Sequence, residues 1–255
     1  NAGYYYDDLG KYEKAIECYE NALAYDPKEF YALSGLANAY QKLGKGDKAV
    51  ENYEKAIAQN PSNKDLFLAF GNTLSKFKKL EEAQGAYKKV IALDPTSVEA
   101  HIGLADSYLA NNEIQYAIQE YQKAIELDKN NVVAYIKLGN LYKNQSDNDR
   151  ALLNYKKAIE IDPLNADGLF NLGLTYVDMG NIEAAKTYLK RVIEIKPDYA
   201  YAYYTLGLIY EKEKLYQEAI ANYSKFVSLS DDEIMVSNIN QRIDILKSRA
   251  PVKAK

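Results

Sequence analysis

The chain has 255 residues, 47% hydrophobic and 27% charged, with a net charge of -4. This is the composition of a soluble protein, and the acidic balance argues against a nucleic-acid partner, which would need clustered Lys and Arg to neutralise phosphates. One cysteine, Cys18, excludes an internal disulfide framework, and no run of about 18 apolar residues exists to insert in a membrane.

A helix-breaking element recurs at a spacing of 34 residues: Pro27, Pro61, Pro95, Lys129 in a proline's place, Pro163, Pro197 and Asp231. A unit so short cannot bury a core alone, so its copies must stack. The expectation is one continuous array without an internal boundary. Asn1 falls inside the first helix of the first unit with no cap before it, so the chain is expected to continue upstream.

Within each unit the first helix carries a large residue, a small one and then an aromatic, as in Leu36, Ala37 and Tyr40. The small column runs Gly3, Ala37, Gly71, Ala105, Gly139, Gly173, Gly207, and the aromatic one Tyr6, Tyr40, Leu74, Tyr108, Tyr142, Tyr176, Tyr210. These positions make one stripe of a helix with about 3.6 residues per turn. A turn follows at Gly10, Gly44 and Gly180, with Lys78, Asn112, Ser146 and Lys214 at the same place in the other units. Glycine or asparagine there suits a left-handed helix cap.

The second helix carries Ala49, Tyr53, Ala56 and Ile57, and its alanine column, Ala15 to Ala219, has no exception. Small residues on both helices predict close contact between them. The second helix ends at an Asp-Pro, Asn-Pro or Lys-Pro step, because proline disfavours helical geometry in the residue before it, and the proline is expected to open the next helix. After the last unit, Ser230 and Glu233 form a capping-box pattern ahead of a final stripe, Met235, Val236, Ile239, Ile243 and Leu246. It is expected to cover the last repeat as a capping helix over 234–249, with 250–255 a disordered tail.

The pattern Leu36-Ala37, Tyr40, Ala49, Tyr53, Ala56 and Pro61, returning over residues 1–233, resembles the tetratricopeptide repeat, or TPR. The family's frequent tryptophan is replaced by Leu33, Phe67, His101, Tyr135, Leu169 and Tyr203. The resemblance implies an all-α fold, a right-handed superhelical α-solenoid of about seven 34-residue helix-turn-helix units. In it the first helices line a concave groove and the second helices form the convex back.

No catalytic constellation is visible. His101, the lone histidine, sits in a packing column, Cys18 has no paired Cys or His, and the glycines never form a phosphate-binding loop. The chain therefore reads as no enzyme, with no cofactor and no metal. Twelve of the 25 tyrosines fall in the Tyr40 and Tyr53 columns and are repeat packing.

Function is expected in the groove implied by the resemblance. Its N-terminal half is polar, with Asn38 and Asn72 near Asp65 and Asp106, and Asn140 continues the asparagine column. Its C-terminal half collects Val133, Ile136, Phe170, Leu174, Val177, Tyr201, Tyr204 and Leu208, with Asn171 beside them. Asparagine carries a donor and an acceptor and can pair with any peptide backbone, while the apolar set can anchor side chains.

Asparagine ladders of this kind occur in the TPR superhelix of O-linked N-acetylglucosamine transferases. The chaperone carboxylate clamp of the family needs groove cations where this chain has Ile102, Ile136, Tyr201 and Thr205. The expected function is a protein-protein interaction scaffold or adaptor that binds a peptide or partner segment. The alternatives are the substrate-recruiting region of a larger enzyme, such as a protein glycosyltransferase, and a scaffold that self-assembles into a homo-oligomer through its uncapped first helix. No signal peptide or basic targeting segment is visible, which favours the cytoplasm.

Overall fold

The structure is a computed structural model that describes residues 2–249; the tail at 250–255 lies outside the described residues, as does Asn1. Among the described residues it is all helix. The helices are α1 (Ala2–Asp8), α2 (Tyr12–Tyr25), α3 (Phe30–Lys42), α4 (Gly46–Gln59), α5 (Lys64–Lys76), α6 (Leu80–Leu93), α7 (Val98–Ala110) and α8 (Ile114–Leu127), then α9 (Val132–Asn144), α10 (Asn148–Ile161), α11 (Ala166–Asp178), α12 (Ile182–Ile195), α13 (Ala200–Lys212), α14 (Tyr216–Leu229) and α15 (Glu233–Arg249). They divide into two compact units, Asn1–Lys129 and Asn130–Lys255, referred to below as units 1 and 2.

Each hairpin turns through the same backbone device. The N–H of Lys45 donates to the carbonyl of Tyr40 five residues back at 2.9 Å, and Lys79, Glu113, Asp147, Asn181 and Leu215 repeat the bond. This is the Schellman closure, and it needs a left-handed residue just before the donor. Gly44 supplies it at φ 74°, but Lys78, Asn112, Ser146 and Lys214 adopt φ of 60–62° as well. For Lys78, Ser146 and Lys214 a side chain there costs about 1–2 kcal/mol per residue, so tertiary packing holds those turns against local preference, while Asn112 tolerates the region.

Between hairpins the prolines do not open helices. Pro27, Pro61, Pro95, Pro163 and Pro197 sit three residues ahead of the next helix, each as the second residue of a four-residue turn. Its carbonyl-to-amide bond runs from Asp26 to Glu29, Asn60 to Asn63, Asp94 to Ser97, Asp162 to Asn165 and Lys196 to Tyr199. Proline's fixed φ and missing N–H suit that position. The aspartates add a side-chain bond, Asp26, Asp94 and Asp162 each accepting the N–H two residues on. The next helix is then capped by Asn63, Ser97, Asn131 or Asn165, whose side chain accepts the N–H three residues on.

Packing within a hairpin explains the small column. Gly3, Gly71, Gly139 and Gly207 lie under the rings of Tyr19, Tyr87, Tyr155 and Tyr223 of the following helix, and a Cβ at any of them would stand 2.5–2.9 Å from a ring carbon. In unit 1, Gly35 and Gly103, on the first helix of the next hairpin, meet the same rings of Tyr19 and Tyr87. Each of these two tyrosines thus packs against glycines of two helices. The alanine column, 0% exposed from Ala15 to Ala219, completes the contact.

In unit 2, α15 lays Ile239, Ile243 and Leu246 on Ala219, Tyr223 and Phe226. Its cap differs from the expected capping box: Asp232 accepts the N–H of Met235 at 2.9 Å, while Ser230 Oγ accepts the N–H of Asp232. Ser230 lies too far ahead of Glu233, the first helical residue, to cap it. Arg242 Nε donates to Glu211 at 2.6 Å and ties α15 to α13.

Candidate protein-binding faces

The asparagine column has an internal task. Tyr87 donates its hydroxyl to Asn72 Oδ1 at 2.7 Å, Tyr155 donates to Asn140 Oδ1 at 2.7 Å, and Tyr121 donates to Asp106 in the same register. Burial pushes the hydroxyls of all three above the ordinary tyrosine value, and the Asp106 charge adds to the effect at Tyr121. They therefore stay protonated and act as donors. The asparagine oxygen is turned to the tyrosine, which leaves the NH2 group as the part able to donate. Asn171 Nδ2 gives a further bond, at 3.1 Å, to Asn140 Oδ1.

Asn38 departs from the column's pattern. Its Nδ2 donates to Asp7 Oδ2 at 2.7 Å. Both residues line a cavity of about 760 Å³ in unit 1, shaped by α1, α3 and α5 over the rings of Tyr19 and Tyr53. Glu29 lines it as well, although its carboxylate is already engaged as the cap of α3, accepting from the N–H groups of Tyr31 and Ala32. The Tyr19 hydroxyl is pushed up to about 12, first by burial and then by Asp7 and Asp8.

The expected apolar residues of unit 2 separate into two groups. Phe170 is half-buried against the ring of Tyr199, centroids 4.9 Å apart, and Tyr204 is half-buried against Phe226 at 5.3 Å and Tyr223 at 6.2 Å. Both contribute to the cores of their hairpins. Ile136 and Leu174 are half-buried. Val133 and Tyr201 are 53% and 52% exposed, and Leu208 is 39% exposed. These three remain available to a partner.

His101 is 5% exposed, with Nδ1 2.6 Å from Glu120 Oε2 and Nε2 3.4 Å from the carbonyl of Pro95. The pair joins α7 to α8, and it was not foreseen because Glu120 lies outside the packing columns. Among the described residues no group of three or more His, Cys, Asp or Glu is placed to hold a metal, and no helix is long and apolar enough to cross a membrane. Asp7 was also missed. It lies one turn beyond the asparagine column, where the sequence pattern carries no fixed residue type: its copies are Gln41, Ser75, Leu109, Lys143, Val177 and Glu211.

Models of the TPR repeat match residues 3–44, 105–146, 139–180 and 173–214, and models of the tetratricopeptide repeat match 30–63, 52–85, 86–119 and 200–233. The chain belongs to the TPR family.

Among curated proteins, none matches it. Among solved structures, this TPR chain is similar to MamA, with 29% identity over 66% of the chain and 92% of MamA at a TM-score of 0.58. It is similar in fold to YrrB, a TPR protein described as having an unusual peptide-binding site, with 23% identity over 76% of the chain and 100% of YrrB at a TM-score of 0.59. It is also similar in fold to the C-terminal part of a TPR repeat-containing protein from Cytophaga hutchinsonii, with 18% identity over 92% and 97% of the two chains and a TM-score of 0.72.

Proposed function

We propose that this TPR chain is a non-catalytic scaffold that binds a peptide or an extended segment of a partner protein along its first helices. The repeat fold is in general an interaction scaffold, and YrrB, a similar protein, has a peptide-binding site. The observation that carries the reading is the exposure of Val133, Tyr201 and Leu208 on α9 and α13, apolar side chains that the core of unit 2 leaves in solvent. Water disfavours such area, and a partner's aliphatic or aromatic side chains would remove it. Asn140 and Asn171 supply polar groups for the partner's backbone beside that apolar face.

The reading revises which side chains serve as anchors. Phe170 packs on Tyr199 and Tyr204 on Phe226 within the hairpin cores, and replacing them would test stability before binding. The binding test uses Val133→Lys with Tyr201→Lys. Peptides selected from a displayed library on the native chain are expected to bind this variant at least tenfold more weakly, with its helix content and melting curve unchanged. Equal binding of those peptides to both proteins refutes the assignment.

A further inference from the structure

The cavity of unit 1 differs in chemistry from the apolar face of unit 2. Three carboxylates line it, Asp7, Glu29 and Asp65, and no Lys, Arg or His does. Asp7 has only one oxygen satisfied, by Asn38; among the described residues its Oδ1 is the one buried side-chain oxygen or nitrogen without a hydrogen-bond partner. Asp65 is exposed on the first turn of α5, and Lys64 beside it is drawn away, its Nζ 2.5 Å from Asp94 Oδ2. Tyr4 and Tyr31, 66% and 76% exposed, offer ring faces on the same lining.

Asp7 is half-buried, and its buried, unmet Oδ1 is a costly arrangement that a positive charge nearby relieves. An acidic ligand would be repelled, and a neutral one would leave the charge uncompensated. A bare divalent ion is disfavoured because the carboxylates do not converge as a metal-binding group. An organic cation suits both features of the lining, its charge meeting the carboxylates and its flat or methylene surface lying on the tyrosine rings. The volume of about 760 Å³ leaves room for the chain that carries the cation.

We propose that this cavity seats a lysine or arginine side chain of a partner peptide. Asp65 at the rim makes the contact, and Asp7 acts through its charge from within the wall. The site lies wholly in unit 1 and does not depend on the apolar face of unit 2.

The test uses random heptapeptide pools, blocked at both termini, with the central residue fixed as arginine, as the neutral isostere citrulline, or as glutamate. Retention on the protein is measured together with alkylation of Cys18, the single cysteine, which also lines the cavity. The arginine pool is expected to be retained roughly tenfold over the citrulline pool, more weakly in high salt, and to protect Cys18. That advantage should fall to about twofold in Asp7→Asn and in Asp65→Asn and persist in Asp47→Asn, whose carboxylate is fully exposed away from the cavity.

Equal retention of the arginine and citrulline pools overturns the proposal, as does an advantage that survives Asp65→Asn in a folded protein. Asp65 is exposed, so that variant decides the matter even where Asp7→Asn fails to fold. Val133→Lys with Tyr201→Lys should leave the arginine advantage intact, so that failure of the unit 2 face and failure of this cavity are read separately.

Discussion

Two glycines of unit 1 should respond to the same substitution with opposite signs. Gly85 lies exposed within α6, and a Cβ there meets nothing within 4 Å. Gly85→Ala should therefore realise the helix preference of alanine over glycine, a gain of about 1 kcal/mol. Gly103 lies within α7, and a Cβ there would stand 2.6 Å from both Cε1 and Cζ of Tyr87. Ordinary carbon contacts are about 3.5–4.0 Å, so the ring must retreat by roughly 1 Å.

The ring has little room to move: Tyr87 is 2% exposed, its hydroxyl is held by Asn72, and Gly71 also packs against it. Overpacking of this kind costs about 1–3 kcal/mol, against a propensity gain of about 1 kcal/mol. The expected result for Gly103→Ala is a net loss of about 1 kcal/mol, and a gap of about 2 kcal/mol between the two variants. Urea unfolding followed by far-UV circular dichroism measures it, with denaturant slopes compared to show that the cooperativity of the array is unchanged. In a Tyr87→Leu background the Gly103→Ala penalty should shrink, since position 189 of the same column already carries leucine. Equal shifts for Gly85→Ala and Gly103→Ala would refute the claim that position 103 is a glycine because the Tyr87 ring packs on it.

The remaining expectations concern turns, caps and the asparagine column. Asn140→Ala strips the Tyr155 hydroxyl of its acceptor and should cost about 1–3 kcal/mol in the same urea assay, with much of the loss recovered by adding Tyr155→Phe. Lys78→Gly and Ser146→Gly, at left-handed positions, should each stabilise by about 0.5–1 kcal/mol once the strain relieved is set against glycine's greater unfolded freedom, and thermal melts will register the rise. The Asp94 carboxyl is held down to about 2 by Lys64 and then by Thr96. Its folded value lies below the unfolded one, so its contribution is present above the ordinary aspartate value of about 3.8 and is lost as pH falls through about 2. Asp94→Asn should flatten the acid limb of the stability profile in that window.

The repeat was legible because its determinants are local. Proline, the left-handed turn position and a stripe of small and large residues act over one or two helical turns, and a 34-residue period presents each of them several times. Lys78, Ser146 and Lys214 could be assigned to the turn by register alone, although their own preferences oppose it. The final helix was equally plain, but its cap was not, because Ser230 and Asp232 both suit the role and only the path of the backbone selects Asp232.

The site was less legible, since which face a side chain serves depends on neighbours far along the chain. Asn72 and Asn140 look like groove residues in the sequence, yet each is also the acceptor for a tyrosine 15 residues later. Phe170 and Tyr204 have the same apolar character as Val133 and Tyr201. Phe170 packs on the Tyr199 ring and Tyr204 on the rings of Tyr223 and Phe226, and both are half-buried. Val133 and Tyr201 stay about half exposed, although Tyr201 also reaches Phe226. Asp7 and Asn38 meet across 31 residues, and Asp65 joins the same lining from a third hairpin. The sequence by itself thus determined the repeat, its two helices and its turns, because local geometry and a recurring apolar stripe specify them. Tertiary structure alone decided which polar and aromatic groups are consumed within the stack and which face solvent, because burial and hydrogen-bond satisfaction depend on the stacked neighbours rather than on the residue itself.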